Sequence, residues 1–316
     1  MAPVTEILPA EPTGFDRAAQ ILREGGLVAF PTETVYGLGA DAANDRAVAR
    51  IFEAKGRPRF NPLIVHVESA ASVRRFVEWP YLADRLAGVF WPGPLTLVLP
   101  LRPQSGLSAL VTAGLPSLAV RVPAHPVAQA LLRRFGGPVA APSANPSGRI
   151  SPTLPEHVRA GLSGRIEAIV DGGACGVGVE STIIGLTGAP VLLRPGGLPV
   201  RVIEEALGET LAMPEPGGPH SAPGQMASHY APRVPVRLDA KTRREGEVLL
   251  GFGPVECDLN LSAAGDLVEA AANLFAHLHR LEARGAPIAV SPIPDSGLGR
   301  AINDRLQRAA APRGEH

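Results

Sequence analysis

Short apolar runs of β character alternate with amphipathic segments throughout residues 1–205, and glycine or proline separates most neighbouring pairs. That alternation confines the chain to an α/β architecture, since strands and helices that follow one another bury their apolar faces on a shared sheet. Period and punctuation predict strands at 26–30, 63–67, 95–99, 118–122, 139–141, 168–170, 181–185 and 191–194. Helices are expected at 14–24, 45–54, 81–89, 125–134 and 155–161. So many strands point to a large, twisted, mixed sheet. Asp45 is the expected N-cap of the second helix, with Lys55, Gly56 and Pro58 as ordinary stop signals.

The pattern breaks at residues 206–235, where Pro214, Pro216, Gly217, Gly218, Pro219, Pro223 and Gly224 crowd together. A segment of that composition is a proline-stiffened linker. It also carries Ser228, His229 and Tyr230, groups an inert tether does not need, so it is expected to serve as a lid. Residues 236–316 follow with a strand at 247–252, a helix at 266–282, a strand at 287–291 and a helix at 298–310. Leu267, Ala271, Leu274, Leu278 and Leu281 form the apolar stripe of the long helix, and the whole is a small parallel-sheet βαβα domain. The expected division is 1–205, 206–235 and 236–316.

Apolar residues make up 45% of the chain and charged residues 19%, the balance of a globular protein. The formal net charge is zero and the pI about 7.1, so no global field draws the chain to nucleic acid or membrane. Cys175 and Cys257 have no metal-ligand spacing and are too few for a disulfide framework, which suits a reducing compartment. Residues 1–15 lack the regions of a signal peptide, and prolines break the most apolar stretch, 89–101. A cytoplasmic protein with no membrane segment is expected.

Chemistry concentrates in residues 31–66. Pro31-Thr32-Glu33-Thr34-Val35-Tyr36-Gly37-Leu38-Gly39 follows the first strand as a polar, glycine-bearing turn, and Lys55-Gly56-Arg57-Pro58-Arg59 precedes the second. The chain has 30 Lys+Arg but only two lysines, Lys55 and Lys241. A lysine kept here by an arginine-biased chain points to a compact ammonium gripping phosphate. Other polar residues sit just past β runs, where loops build sites: Thr32 and Thr34, Ser143 and Asn145, Ser181 and Thr182, and Arg194. Arg121, inside an apolar strand, must meet either a structural carboxylate or an anionic ligand. Taken singly, His66 also fits a satisfied strand histidine, Tyr36 a core-edge aromatic, and Cys175 a packed thiol without a base. Gly37-Leu38-Gly39-Ala40-Asp41-Ala42 matches a loose dinucleotide fingerprint, but six residues separate it from the strand that should lead directly into it. There is no P-loop, no zinc spacing and no G-x-S-x-G elbow.

Together the motifs carry a resemblance. They are residues 31–39, 55–66, Trp91-Pro92-Gly93-Pro94-Leu95-Thr96, 142–148, Val179-Glu180-Ser181-Thr182, Leu193-Arg194-Pro195-Gly196, Ala222-Pro223-Gly224 and 297–306. The chain resembles the YrdC-like family along its whole length, and closely resembles its two-domain members, the threonylcarbamoyl-AMP synthases. One departure is Gln225 between Gly224 and Met226, where members usually have Pro-Gly-Met.

The resemblance implies a YrdC-like catalytic domain followed by a small Rossmann-like domain. It implies a nucleotidyltransferase reaction in which L-threonine, bicarbonate and ATP give L-threonylcarbamoyl-AMP and pyrophosphate. Mg²⁺ would ride on the ATP phosphates, with no protein side chain holding metal. The product would pass to a tRNA threonylcarbamoyltransferase complex for modification of adenosine next to the anticodon, with at most weak direct tRNA contact. Carried over by position, Lys55, Arg57, Ser143 and Asn145 match the catalytic, ATP-binding tetrad. Asn61, Ser117, Ser151, Arg194 and Tyr230 match further nucleotide contacts. Thr34, His66, Arg121, Ala141 and Ser181 match the threonine pocket, with Arg121 facing the substrate carboxylate.

Two other classes compete. An RNA-binding module of the YrdC-like fold without synthase activity would shift RNA in a salt-dependent way, but neutral charge and the lack of an aromatic-basic stripe oppose it. A nicotinamide-dependent oxidoreductase built on Gly37-Leu38-Gly39 would betray itself by cofactor quenching.

Overall fold

The computed structural model describes residues 3–214 and 228–312. The chain opens with β1 (Glu6–Pro9), α1 (Pro12–Arg23), β2 (Val28–Pro31), β3 (Tyr36–Asp41), α2 (Asp45–Lys55) and β4 (Ile64–His66). Next come α3 (Ala70–Val73), α4 (Tyr81–Phe90), β5 (Leu95–Pro100), α5 (Ala109–Thr112), β6 (Ser117–Arg121) and α6 (Pro126–Phe135). The first unit closes with β7 (Val139–Ala140), α7 (Pro155–Leu162), β8 (Ala168–Asp171), β9 (Thr182–Gly185), β10 (Val191–Arg194) and α8 (Val200–Leu207). Its strands form one mixed sheet in the order β1-β8-β2-β3-β7-β4-β6-β5-β9-β10. The second unit comprises β11 (Val236–Arg237), β12 (Val248–Gly251), β13 (Leu259–Asn260), α9 (Leu267–Glu282), β14 (Ile288–Val290) and α10 (Gly299–Ala310). Its sheet, β11-β14-β12-β13, is parallel throughout.

The expected strands and long helices are present, and the large mixed sheet with a second, smaller α/β unit is the architecture the sequence predicts. Several details differ. Residues 31–39 are not a simple turn: Tyr36–Asp41 forms β3, paired antiparallel to β2 with Phe30 opposite Gly37. This removes the dinucleotide fingerprint, because Gly37 and Gly39 lie inside a strand and not at a helix N-terminus. Gly39 is small for packing, since a Cβ there would sit 2.8 Å from the Phe30 ring. Asn44, not Asp45, caps α2, its side chain accepting from the Arg46 and Ala47 N–H groups. Gly56 ends that helix as expected, in the left-handed region at φ 60°. Helix α8 runs to Leu207, so the first two residues of the expected linker are helical, and much of the rest, 215–227, lies outside the described residues. So do Ala222-Pro223-Gly224 and Gln225.

Two apolar clusters line the large sheet, one gathering Val48, Ile51, Leu86 and Ile203, the other Ala18, Leu22, Leu131 and Leu132. A third crosses between the units, joining Leu274, Phe275 and Ile302 to Val35, Ile150, Val179 and Tyr230. The small unit is therefore docked by a shared core rather than tethered beside the first. At Gly178 the approach is backbone to backbone: a Cβ would lie 2.3 Å from the Ala271 carbonyl oxygen of α9.

Candidate active site

The loops that leave β2, β7 and β10, and the one that enters β9, meet beside Ile64, His66 and Arg121 around a cleft of about 530 Å³. Local structure aims each side chain. The β2–β3 loop is fixed by Thr32, whose hydroxyl donates to the Val35 carbonyl (2.7 Å) and accepts from the Thr34 and Val35 N–H groups (3.2 Å each). Residues 142–144 continue the β3 ladder, through Leu38 N–H to Pro142 O (2.7 Å) and Ala144 N–H to Tyr36 O (2.8 Å). In β10 the register slips between Leu192 and Arg194, a bulge that re-aims the arginine. Gly196 lets the next turn lie on the Glu180–Ser181 backbone, where a Cβ would meet the Glu180 oxygen at 2.3 Å.

One end of the cleft is built on Arg121. Its Nε donates to Gly93 O (3.2 Å), Nη1 to the Thr34 hydroxyl (3.0 Å), and Nη2 pairs with Glu33 at 2.5 Å. The structural carboxylate left open by the sequence is thus Glu33, which also accepts from Ala124 N–H (3.0 Å). Burial by itself raises the Glu33 pKa, but the Arg121 charge and these hydrogen bonds outweigh it and hold the carboxyl below its usual range. A guanidinium has more N–H donors than these contacts use, so Arg121 can still serve a ligand. His66 stands beside it, edge-on to Phe30, its pKa pushed down to about 3 by burial and by the Arg121 charge. It is a neutral imidazole at physiological pH, and its Nδ1 has no partner among the described residues. Ser181 shares a 2.7 Å hydrogen bond with Thr96 and accepts from Arg194 Nη2 at 3.2 Å.

The other end is cationic. Arg57 is buried, donating to Asn61 O (3.2 Å) and Pro62 O (2.8 Å), and burial with the nearby Arg194 charge lowers its pKa to about 10. Arg194 donates to Ser181 O (2.9 Å), and its pKa is likewise lowered by burial. Tyr230 leans on this group with its hydroxyl buried and without a partner among the described residues. Its backbone sits at φ 60°, a strained value for a tyrosine, held by Ala231 N–H to Gly148 O (2.8 Å) on one side and His229 N–H to Arg308 O (3.2 Å) on the other.

Nine of the expected site residues line the cleft: Thr34, Arg57, His66, Arg121, Ala141, Ser143, Ser181, Arg194 and Tyr230. Others stand behind it. Lys55 is buried, and its ammonium donates to the Ser143 and Asn145 carbonyls at 2.5 Å each. Where a phosphate grip is expected, the ammonium clamps the Ser143–Asn145 loop, and burial together with the Arg57 charge lowers the Lys55 pKa strongly. Arg59 is exposed and outside the group. Asn145 donates to Arg149 O (2.8 Å) while its Oδ1 has no partner among the described residues. Ser151 is one layer back, bonded to Glu180 at 2.5 Å. Asn61 presents its carbonyl to Arg57. Ser117 begins β6 and pairs with Pro100, about 13 Å along the strand from Arg121, so it does not join the cleft wall. Cys175 is inert, its thiol pushed up to about 12 by burial.

A cleft with an arginine that keeps unused donors at one end and buried cations at the other suits a ligand or ligand pair bearing two separate anionic groups. Comparison with known proteins gives the same direction. A family model described as telomere recombination matches residues 20–196, and one described as threonylcarbamoyl-AMP synthase, C-terminal domain, matches 199–311. The threonylcarbamoyl-AMP synthase of Pyrococcus abyssi is 44% identical, with 93% of each chain covered. The protein of that name from Bacillus subtilis is 41% identical over 98% of this chain and 96% of its own. This chain belongs to the threonylcarbamoyl-AMP synthase family.

Its fold also superimposes on the crystal structure of Pyrococcus abyssi Sua5 complexed with L-threonine, with a TM-score of 0.90, 41% identity, and 97% and 98% of the two chains covered. Membership makes the chain an enzyme of the nucleotidyltransferase class. The sequence motifs locate most of the cleft wall but leave three charged residues without a task. Glu33 lies within 31–39, Glu180 within 179–182 and Arg305 within 297–306. Their acid–base types were visible in the sequence; their partners, far apart along the chain, were not.

Proposed function

We propose that this chain condenses L-threonine, bicarbonate and ATP to L-threonylcarbamoyl-AMP with release of pyrophosphate. The observation that carries this reading is the two-ended cleft, Arg121 with hydroxyl neighbours at one end and Arg57 with Arg194 at the other. Arg121 takes the threonine carboxylate on the N–H donors that Glu33 and Thr34 leave over, while Thr34, Ser181 and the neutral His66 surround the side chain and amine. Arg57, Arg194 and Ser143 face the triphosphate, Lys55 and Asn145 hold the Ser143 loop in place, and Tyr230 covers the nucleotide. The relatives named threonylcarbamoyl-AMP synthase and the threonine complex of the Pyrococcus abyssi protein support the choice of substrates.

The threonine amine adds to bicarbonate and water leaves, giving a carbamate; a carbamate oxygen then attacks the α-phosphorus and pyrophosphate departs. No protein nucleophile is required, so catalysis is positioning plus charge neutralisation. Mg²⁺ enters as part of the ATP substrate; Glu33 and Glu180 are each engaged by an arginine. The adenylate then serves a tRNA threonylcarbamoyltransferase complex that modifies adenosine beside the anticodon, in the cytoplasm. Mass spectrometry of the product made with ¹³C-bicarbonate tests the reading. An adenylate carrying both threonine and the labelled carbon is expected, whereas threonyl-AMP without label would overturn it.

A further inference from the structure

Arg305 is among the largest fully buried side chains of the described residues, and it comes from the small unit. Helix α10 drives it into the back of the cleft wall, 125 positions in sequence from its partner. There Nε donates to Glu180 Oε2 (2.9 Å) and Nη1 to the Pro195 carbonyl (2.8 Å), while the guanidinium lies 5.2 Å from the centre of the Tyr230 ring. Asp304 balances it from its own helix at 2.6 Å. The second oxygen of Glu180 accepts from Ser151. Arg305 thus touches three pieces of the wall at once: the loop entering β9, the turn after Arg194, and the ring of Tyr230. Its Nη2 has no partner among the described residues, which is rare for a fully buried donor and marks a group held for its charge and shape.

The electrostatics give the arrangement a purpose. Glu180 is a buried carboxylate on the cleft wall with Arg194 close by. A buried carboxylate with no strong partner pulls on whichever cation is nearest, and here that cation is Arg194, which faces the cleft. Arg305 meets that demand from behind.

We infer that Arg305 is a positioning residue through which the small unit holds Glu180, the turn after Arg194 and Tyr230 in the arrangement that receives the nucleotide. This rests on the reaction proposed above. It explains why the small unit shares its core with Val35, Ile150 and Val179: a side chain that must neutralise a carboxylate inside another unit has to arrive with that unit firmly docked. Arg305 itself touches neither the cleft nor the reacting atoms.

The test is a double-mutant cycle on the full chain, reading the KM for ATP, kcat, and the separate dissociation constants for ATP and threonine. Arg305→Met should raise the KM and dissociation constant for ATP about tenfold or more while threonine affinity stays within about threefold, because the Arg121 end is untouched. Arg305→Lys, which keeps the charge but not the fork, should fall between the two. In a Glu180→Gln background, where the carboxylate is gone, Arg305→Met should cost less than about threefold beyond Glu180→Gln alone. That loss of effect separates charge compensation from simple packing. Wild-type ATP affinity in Arg305→Met overturns the inference. So does an equal loss of ATP and threonine affinity, with lowered Tm and the same penalty in both backgrounds. If the wild-type chain binds ATP but releases no pyrophosphate with threonine and bicarbonate, the reaction is wrong, and the ATP affinities across the cycle still decide the role of Arg305.

Discussion

At the scale of single residues, Lys55 shows how burial alters what a side chain can do. Its scarcity made it conspicuous in an arginine-biased sequence, but only the fold reveals that its ammonium bridges two carbonyls of the Ser143 loop. A planar guanidinium cannot replace a compact ammonium between two oxygens in a buried site. Lys55→Arg should therefore lower kcat/KM by on the order of 10²-fold through displacement of that loop. An unchanged rate of pyrophosphate release would contradict the clamp. The hydroxyl-rich Arg121 end of the cleft, proposed above to take threonine, leads to a second expectation. A pocket whose polar groups must satisfy a substrate hydroxyl penalises its absence far more than the loss of one methyl, worth about 1–3 kcal/mol. Competition assays should place serine as a partial substrate and valine far below it; equal use of valine would show that Thr34 and Ser181 do not face the side chain. Arg305 was beyond the reach of sequence reading for a different reason. An arginine in an amphipathic helix looks like a solvated face until Glu180 is brought to it from 125 positions away.

At the scale of elements, length and periodicity decided what was legible. The long helices α1, α2, α6 and α9 announce themselves by apolar spacing, and β2, β4, β5 and β6 by compact apolar runs. Strand β3 did not, because Tyr36–Ala40 is buried on both faces and so shows no alternation, while its glycines imitate a turn. Helices α3 and α5, four residues each, are too short to carry a period. The packing of α7 on α9 was equally hidden, and it sets a pH dependence. His157 and His279 stack with ring centres 3.8 Å apart, near the Arg149–Glu282 pair that also joins the units. Burial lowers both pKa values, to about 3 and about 4, from an ordinary 6.5; a charge on either ring would oppose a charge on the other, and at His279 the hydrogen bond to the Ser151 carbonyl partly offsets burial while the Arg149 charge adds to it. Because the folded values lie below the unfolded one, the unfolded chain binds protons first. The stability these rings contribute is whole above about pH 6.5 and drains away as pH falls toward 4. Tm should therefore drop over that range. His157→Phe should keep the stack but flatten the slope, at a neutral-pH cost of about 1 kcal/mol for the lost hydrogen bond from Thr153. The same slope in variant and wild type would place the acid sensitivity elsewhere.

At the scale of the whole molecule, the small unit backs the site rather than hanging beside it, since its core includes Tyr230 and its last helix holds Glu180 from behind through Arg305. Composition and pattern disclosed that a second unit existed; where it docks depended on long-range contacts that no local pattern encodes. Gly178 is the place to test the docking. It sits at φ 77° with α9 backbone against it, so Gly178→Ala must push α9 away and also strain the turn. A cost of about 1–3 kcal/mol is expected, seen as a Tm lowered by several degrees, with ATP affinity falling more than threonine affinity. Unchanged ATP affinity alongside a lowered Tm would mean that the small unit only stabilises the fold. The central claim is that one cleft joins three substrates, and the rate of pyrophosphate release tests it most directly. With Mg²⁺–ATP present, release should require both L-threonine and bicarbonate, and should stay near background when either is omitted. Release that proceeds at the same rate without bicarbonate, or with any amino acid in place of threonine, would contradict it.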